Sequence, residues 1–412
     1  MRIEELKEDI WKCNHCSMCS EMVCDEAGYY KVCPVYQVKE FENYTARGHN
    51  TIALYLLEGS LKYDENIANI LFKCTTCMIC EEVCKPMGNA VAGLGGYGLK
   101  SILNDAIKPL NIDMNPIPSV DILETMRADC VDRGLEPEGI KKVARAVEKT
   151  GNIYGEPEDA RGAWAGGITP DTGANTMVFA GDAAAYKAPE VAVAAMKILQ
   201  RSGMRVDIFK EECASGALQF RTGYVDLAKK MVEKNLSGLK AKGIKELIVL
   251  SADDYFAIAK DWPRFAGELP FRVRHISMVI SDLIKQKKLV PSKRVNRIVT
   301  YQDPCRLGRG MNIYEDPRII LRAIPGLELR EMYPTAHAAW CFGGCGGVPQ
   351  SDHELSMELG RRKLPLIEKT GAGVIATACP DVRVHMDEVI RNAGSQYRSM
   401  DIMELLAESL EV

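Results

Sequence analysis

The sequence lacks any apolar run approaching the roughly 18 residues or more that a membrane-spanning helix needs. Its first residues, MRIEELKEDIWK, carry charge where an export signal would carry an apolar core. A soluble, cytoplasmic protein is therefore expected, touching a membrane only through a partner. An excess of positive charge is also missing. Lysine and arginine total 52 against 56 acidic residues, for a net charge of −4. That balance gives no basic footprint for nucleic acid or for an anionic bilayer. Disorder is excluded by what remains: 47% hydrophobic and 26% charged residues are ordinary globular composition. A chain of 412 residues has material for roughly two to three domains.

What the sequence has in quantity is cysteine. There are 15, and nine fall within the first 84 residues. A disulfide framework suits small exported domains. This chain is large, and its cysteines sit two residues apart. A disulfide across C-x-x-C closes too short a loop to remove much unfolded-state entropy. Closely spaced thiols serve a metal or a cluster better.

Two runs carry that signal. The first is Cys13-x-x-Cys16-x-x-Cys19, with Cys33-Pro34 further on; the second is Cys74-x-x-Cys77-x-x-Cys80-x-x-x-Cys84, followed by Lys85-Pro86. Two-residue spacing lets one loop offer three thiolates to three corners of a cubane. In two-cluster ferredoxins the last cysteine of each run ligates the other cluster. That rule assigns one [4Fe–4S] cluster to Cys13, Cys16, Cys19 and Cys84, and a second to Cys33, Cys74, Cys77 and Cys80. Zinc also uses C-x-x-C pairs, but three evenly spaced cysteines with a remote fourth fit a cube better. The spacer before Cys33 is stretched to thirteen residues, Ser20–Val32, and contains Cys24. Either cysteine can fill the fourth position. Pro34 after Cys33 favours Cys33, leaving Cys24 a free thiol.

The rest of the chain divides by pattern. Residues 1–100 form the cysteine-rich module, with helical segments at Thr51–Leu57 and Asn66–Phe72. Residues 101–175 read as a helical connector, with helical spacing at Ile140–Lys149 and a Gly/Pro-rich, exposed link over Gly151–Gly173. Beyond it, short β-rich runs alternate with helices, which predicts a largely parallel sheet. The strands expected are Met177–Ala180, Arg205–Phe209, Glu246–Ser251, Arg272–Ile276, Arg297–Tyr301, Leu327–Met332, Gly373–Ala378 and Gln396–Met400. Helices are expected at Glu190–Arg201, Val225–Lys242 and Glu354–Lys369. The order repeats, so residues 176–290 and 291–412 are read as two similar α/β lobes; one large α/β domain is the alternative. The fold class expected is α+β, a mostly helical two-cluster module followed by duplicated α/β lobes.

At these residues the chain resembles a known family. The two ferredoxin-like runs, the segment Thr45-Ala-Arg-Gly48 to Leu57-Glu-Gly59, and Leu71-Phe-Lys-Cys74 look like the iron–sulfur subunits of heterodisulfide reductase, anaerobic glycerol-3-phosphate dehydrogenase and glycolate oxidase. Lys149-Thr-Gly-Asn-Ile-Tyr-Gly155, Arg161 and Trp164 are similar too, and the C-terminal repeats look like paired cysteine-rich CCG domains. In that family a complete repeat supplies an early cysteine, a Cys-Cys-Gly and a late Cys-x-x-Cys. The first repeat here departs from the pattern: Asp182 stands at the early position, Cys213-Ala214 in the middle, and Ala252-Asp-Asp-Tyr255 at the end. One thiol cannot hold a cluster, so no metal is expected there and Cys213 reads as a core residue. The second repeat keeps Asp303-Pro-Cys305, Cys341-Phe-Gly-Gly-Cys345-Gly-Gly347 and Cys379-Pro-Asp-Val382, with Phe342 in a cysteine's place. The resemblance thus implies a third [4Fe–4S] cluster on Cys305, Cys341, Cys345 and Cys379.

The function this implies is electron transfer within an anaerobic oxidoreductase complex, between a flavoprotein or iron–sulfur partner subunit and a terminal acceptor. A catalytic heterodisulfide (thiol–disulfide) reductase subunit is the alternative, and whether the chain is itself an enzyme stays open. Weaker signals are His337 as a cluster contact or an ordinary histidine, and Cys130 as a buried thiol. Arg306 and Arg309 are either partners of an anionic cluster or a solvated face. Gly93-Leu-Gly-Gly-Tyr-Gly98 reads as a turn.

Overall fold

The computed structural model describes residues 1–24, 28–84 and 116–412. The side chain of Cys24 and the run Gly93–Gly98 lie outside the described residues. The thirteen-residue spacer is a hairpin that the sequence did not announce: β1 (Glu21–Cys24) pairs antiparallel with β2 (Gly28–Lys31), Glu21 opposite Lys31.

The repeat in the second half is a repeat of topology. β3 (Thr176–Phe179), β4 (Asp207–Ile208), β5 (Glu246–Val249) and β6 (Arg272–His275) form one parallel sheet in the order β4-β3-β5-β6. β7 (Arg297–Tyr301), β8 (Leu327–Leu329), β9 (Val374–Thr377) and β10 (Arg398–Asp401) form the other, in the order β8-β7-β9-β10. In each, the second strand lies outside the first and the third inside it, so both sheets switch direction between the first and third strands. β9 is buried along its whole length, because a parallel strand covered on both faces needs an apolar run rather than an alternation. One apolar core runs through both lobes, joining Val178, Ile248 and Ile280 to Val299, Ile375 and Leu406. The helices Pro189–Arg201 and Ile402–Leu410 pack on each other across the boundary.

The N-terminal module has its own core. Ile52, Leu56, Leu71 and Phe72 pack with Ile122, Leu123 and Met126 of the helix Ser119–Val131. The next helix, Glu138–Thr150, buries Ile140, Ala144 and Val147, one apolar stripe, and stops at Gly151, whose φ of 72° is the left-handed cap a glycine adopts without penalty. The Gly151–Gly173 stretch is more than an exposed link. A 3₁₀ helix, Glu158–Ala165, folds back and buries Arg161 and Trp164. The long helix expected over Glu354–Lys369 is broken into His353–Arg361 and Leu364–Glu368, with Pro365 in the first turn of the second.

Candidate iron–sulfur sites

The two C-x-x-C-x-x-C loops have the same backbone. In the first, His15 and Ser17 sit at φ 56° and 65°; in the second, Thr76 and Met78 sit at 49° and 65°. These are the residues just before and just after the middle cysteine of each run. A non-glycine residue pays roughly 1–2 kcal/mol for the left-handed region. Four such residues in two matching places mark loops shaped to turn their thiols to one centre.

Neighbours complete each loop. Thr45 caps the helix Ala46–Leu57, accepting from Gly48 N at 3.3 Å, and so fixes Arg47, whose backbone N–H donates to Cys19 Sγ at 3.3 Å. Burial pushes the Cys19 thiol up to about 12, that N–H opposes the rise, and Cys13 and Cys16 add to it. Cys84 also rises through burial, against an N–H from Ile117, and feels Cys16 and Cys13. Cys33 is buried and rises for that reason first, then through Cys74 and, more weakly, Cys77. Cys80 rises by burial and through Glu81, Cys74, Cys77 and Cys19. Cys84 is thus within electrostatic reach of Cys13 and Cys16, and Cys33 of Cys74 and Cys77. Cys16 alone among the eight is exposed. Within the second loop, Thr76 N donates to Cys74 Sγ at 3.4 Å.

The C-terminal thiols lie against this second loop. Cys305 opens a short helix after β7, and Cys341 and Cys345 flank a glycine turn; the three Sγ atoms all lie within 4.8 Å of one another, with Cys305 and Cys341 buried and Cys345 half-buried. Gly343 N donates to Cys341 Sγ at 3.4 Å. Hydrogen bonds with Cys341 and Cys345, and the charges of Arg309 and Arg306, pull the Cys305 thiol down from its ordinary range while Cys341 and Cys345 rise. A small enclosed cavity beside them is closed by Phe342, Val382 and His385. Cys77 packs in the same apolar cluster as Cys305 and Cys341. Gly346, at φ 66°, touches the loop so closely that a Cβ there would stand 2.7 Å from Thr75 C and 2.8 Å from Cys74 O.

Cys379 is placed differently. It follows β9 and is fully buried, with its Sγ 3.8 Å from Ser251 Oγ and 3.8 Å from Asp381 Oδ2. It stands outside the group of three. Arg306 is not on a solvated face. It is buried, with Nη2 on Thr76 Oγ1 at 3.0 Å and Glu124 Oε1 at 3.4 Å. His337 is exposed, and its carbonyl, not its ring, meets Arg309 Nη1 at 3.0 Å. Cys130 is buried in the helix Ser119–Val131.

Cluster chemistry fits the C-terminal thiols on two further grounds. Arg309 Nη2 and Trp340 Nε1 are buried donors without a partner. Both belong to this neighbourhood, and an unmet buried donor costs roughly 1–3 kcal/mol. Inorganic sulfide is an acceptor of the kind they lack. Sequence reasoning missed Trp340 and Lys363. The Nζ of Lys363 is buried on Trp340 O at 2.9 Å and on Gln302 Oε1.

The equivalent place in the first lobe is filled with protein. Arg161 donates to Glu212 Oε1 at 2.9 Å, to Asp182 and to Gly151 O at 3.2 Å, and lies over the Tyr186 ring. Cys213 is buried, its N–H on Asn235 Oδ1 at 2.9 Å. The two lobes meet at their switch points, where Ser251 Oγ, after β5, donates to Asp381 Oδ2, after β9, at 2.6 Å.

Comparison with known proteins agrees with these divisions. The 4Fe-4S dicluster domain family matches residues 9–87, and the CCG cysteine-rich domain family matches residues 177–253 and 299–387. A dihydromethanophenazine:CoB–CoM heterodisulfide reductase subunit from Methanosarcina barkeri is 30% identical over 348 residues, 82% of this chain and 77% of its own. A CoM/CoB fumarate reductase subunit from Methanothermobacter marburgensis is 30% identical over 338 residues, 82% of this chain and 61% of its own. The EtfAB:quinone oxidoreductase of Syntrophomonas wolfei is 23% identical over 86% of this chain and 48% of its own. No described helix is long and apolar enough to cross a membrane. By its two domain types and this breadth of identity, the chain belongs to the CCG-domain iron–sulfur family that includes the heterodisulfide reductase relative from Methanosarcina barkeri.

Proposed function

We propose that this chain is an iron–sulfur electron-transfer subunit of an anaerobic oxidoreductase complex in the cytoplasm. It passes electrons between a flavoprotein or iron–sulfur partner and a terminal acceptor. The observation that carries the reading is the contact of the Cys345-Gly346 turn with the Cys74-Thr75 backbone, which brings the C-terminal thiols onto the second ferredoxin-like loop.

In this reading Cys13, Cys16, Cys19 and Cys84 hold the first [4Fe–4S] cluster, and Cys33, Cys74, Cys77 and Cys80 hold the second. Cys305, Cys341 and Cys345 hold three corners of a third; Cys379, set apart on Ser251 and Asp381, would have to leave those partners to fill the fourth. Bound there, such clusters supply one-electron exchange over potentials of roughly −700 to +450 mV. The protein's own part is orientation and field. Backbone N–H groups of Arg47, Thr76 and Gly343 each meet one cysteine sulfur, one in each site. Exposed Cys16 puts the first site at the surface, where a partner subunit reaches it.

A second reading rests on Cys305. Three thiols, Cys305 with Cys341 and Cys345, whose Sγ atoms lie within 4.8 Å of one another are also what thiol–disulfide exchange requires, and they would make the chain a heterodisulfide reductase subunit. Iron analysis of anaerobically purified protein tests the main proposal. Three clusters give about 12 iron atoms per chain and two give about 8. Zinc in place of iron at the C-terminal thiols would overturn the third cluster. An EPR signal of the reduced protein that changes on adding a disulfide would favour catalysis over conduction.

A further inference from the structure

We propose that Arg309 is a positioning residue that raises the reduction potential of the C-terminal cluster, with the indole N–H of Trp340 acting beside it. The inference rests on the third cluster proposed above and adds what sets its potential.

Arg309 spends its hydrogen bonds on backbone. Its Nε donates to Cys77 O at 2.7 Å, and its Nη1 donates to Ala339 O at 2.7 Å and His337 O at 3.0 Å. The first of these carbonyls is the backbone oxygen of a cysteine in the second ferredoxin-like loop. The guanidinium therefore bridges that loop and the segment leading into Cys341. Nη2 is buried and has no partner. Trp340 Nε1, next in sequence to Cys341, is in the same condition, its ring stacked on Tyr30 at 5.5 Å. An indole N–H can only donate. Two orphan donors at one site call for one acceptor.

Charge makes the same case. Among the described residues four buried arginines are each paired with two carboxylates: Arg161 with Asp182 and Glu212, Arg221 with Glu124 and Asp261, Arg306 with Glu124 and Asp253, and Arg318 with Asp303 and Glu331, whereas buried Arg127 spends its donors on backbone carbonyls. For Arg309 no carboxylate pairing is recorded among the described residues. Burial works against its charge, and Cys305, Cys77 and Cys341, in that order, more than restore it. A cluster that gains an electron gains a negative charge. A desolvated cation with no other counter-charge stabilises that reduced form over the oxidised one, and a donor to sulfide does the same.

The test is an anaerobic redox titration of the full chain followed by EPR, with Arg309→Gln, Arg309→Lys and Trp340→Phe. Cys305→Ser identifies the C-terminal signal by its loss. At the wild-type midpoint, Arg309→Gln should lower the reduced-to-oxidised ratio of that signal at least tenfold, a downward shift of 59 mV for one electron. Arg309→Lys should recover part of the loss. Trp340→Phe should move the ratio the same way by about twofold or more, and the Cys13 cluster should not move. If wild-type protein carries about 8 iron atoms and no signal sensitive to Cys305, the functional reading fails. If the signal is present and unshifted in both Arg309→Gln and Trp340→Phe, the inference alone fails. Loss of the cluster in Arg309→Gln with an unshifted Trp340→Phe also overturns it, because Arg309 is then only structural.

Discussion

Arg127 Nη2 donates to the carbonyl of Cys74 at 2.7 Å, and with its other atoms the same guanidinium reaches three further carbonyls. Nε and Nη2 meet Leu71 O at 3.1 and 2.7 Å, and Nη1 meets Arg221 O and Gly346 O, each at 2.8 Å. Those carbonyls belong to the N-terminal module, the first lobe and the second. The side chain is fully buried, and its charge lies near Cys74. One residue therefore ties three parts of the chain together at the second cluster site.

Replacing Arg127 by Met keeps most of the apolar stem and orphans the carbonyls of Cys74, Arg221 and Gly346, while Leu71 O keeps the Cys74 N–H at 3.4 Å. Each unmet acceptor costs roughly 1–3 kcal/mol, not additively, so a loss of about 3 kcal/mol or more is expected. Thermal unfolding of the anaerobic protein should show a clear fall in midpoint, with iron released from the second site before the first. A midpoint within about a degree of wild type would contradict this account.

Gly346 is the contact between the second and C-terminal sites. A Cβ at this position meets Thr75 C at 2.7 Å and Cys74 O at 2.8 Å, both backbone atoms that cannot swing away, on top of the left-handed penalty at φ 66°. Gly59 provides the control, at φ 76° with nothing within 4 Å of its Cβ. Gly346→Ala should lower the thermal midpoint well beyond Gly59→Ala, and should weaken any magnetic interaction between the second and third clusters. Equal midpoints for the two variants would mean the loops are not pressed together.

How much of this was legible can be argued from a few residues. The eight α/β strands were readable because parallel strands are apolar runs flanked by turns, and Ile248 or Ile375 sits mid-run in such a stretch. The two-cluster module was readable because C-x-x-C spacing is local, while which cysteine completes which cluster rests on the ferredoxin rule alone. The hairpin over Glu21–Lys31 was not, since its strands are four residues each and carry no long alternation. Arg161 was hidden for another reason. It sits in a Gly/Pro-rich stretch that reads as exposed, and only tertiary folding delivers it to Asp182 and Glu212, more than twenty residues away in each case. The unpaired donors on Arg309 and Trp340 are invisible in any sequence, because a missing partner is a property of packing.

The fourth ligand of the second cluster separates Cys33 from Cys24. Cys33 is buried within electrostatic reach of Cys74 and Cys77, at the N-cap of the helix Pro34–Lys39. Cys33→Ser should lower the iron content by about four atoms per chain and remove one EPR signal. Cys24→Ser should leave both unchanged. The reverse result would move the ligand into the hairpin and detach Cys33 from the site.

Acid stability should carry the mark of His275. Its ring is fully buried at the N-terminus of the helix Ile276–Lys285, where Nδ1 accepts from Ser277 N at 3.2 Å and Nε2 donates to Leu250 O at 3.2 Å. That pair of bonds needs the neutral ring, and burial lowers its pKa to about 4. An unfolded histidine takes up its proton near pH 6.5. Between those two values the unfolded chain binds the extra proton and the folded chain does not. The contribution is therefore complete above about pH 6.5 and shrinks by up to roughly 1.4 kcal/mol per pH unit as pH falls toward 4. Asparagine caps a helix well and does not titrate. His275→Asn should be somewhat less stable at pH 7, through the lost bond to Leu250 O. Its thermal midpoint should fall less steeply than that of wild type between pH 7 and pH 5. Parallel curves for the two proteins would place the acid sensitivity at other groups and refute a neutral, buried cap at this position.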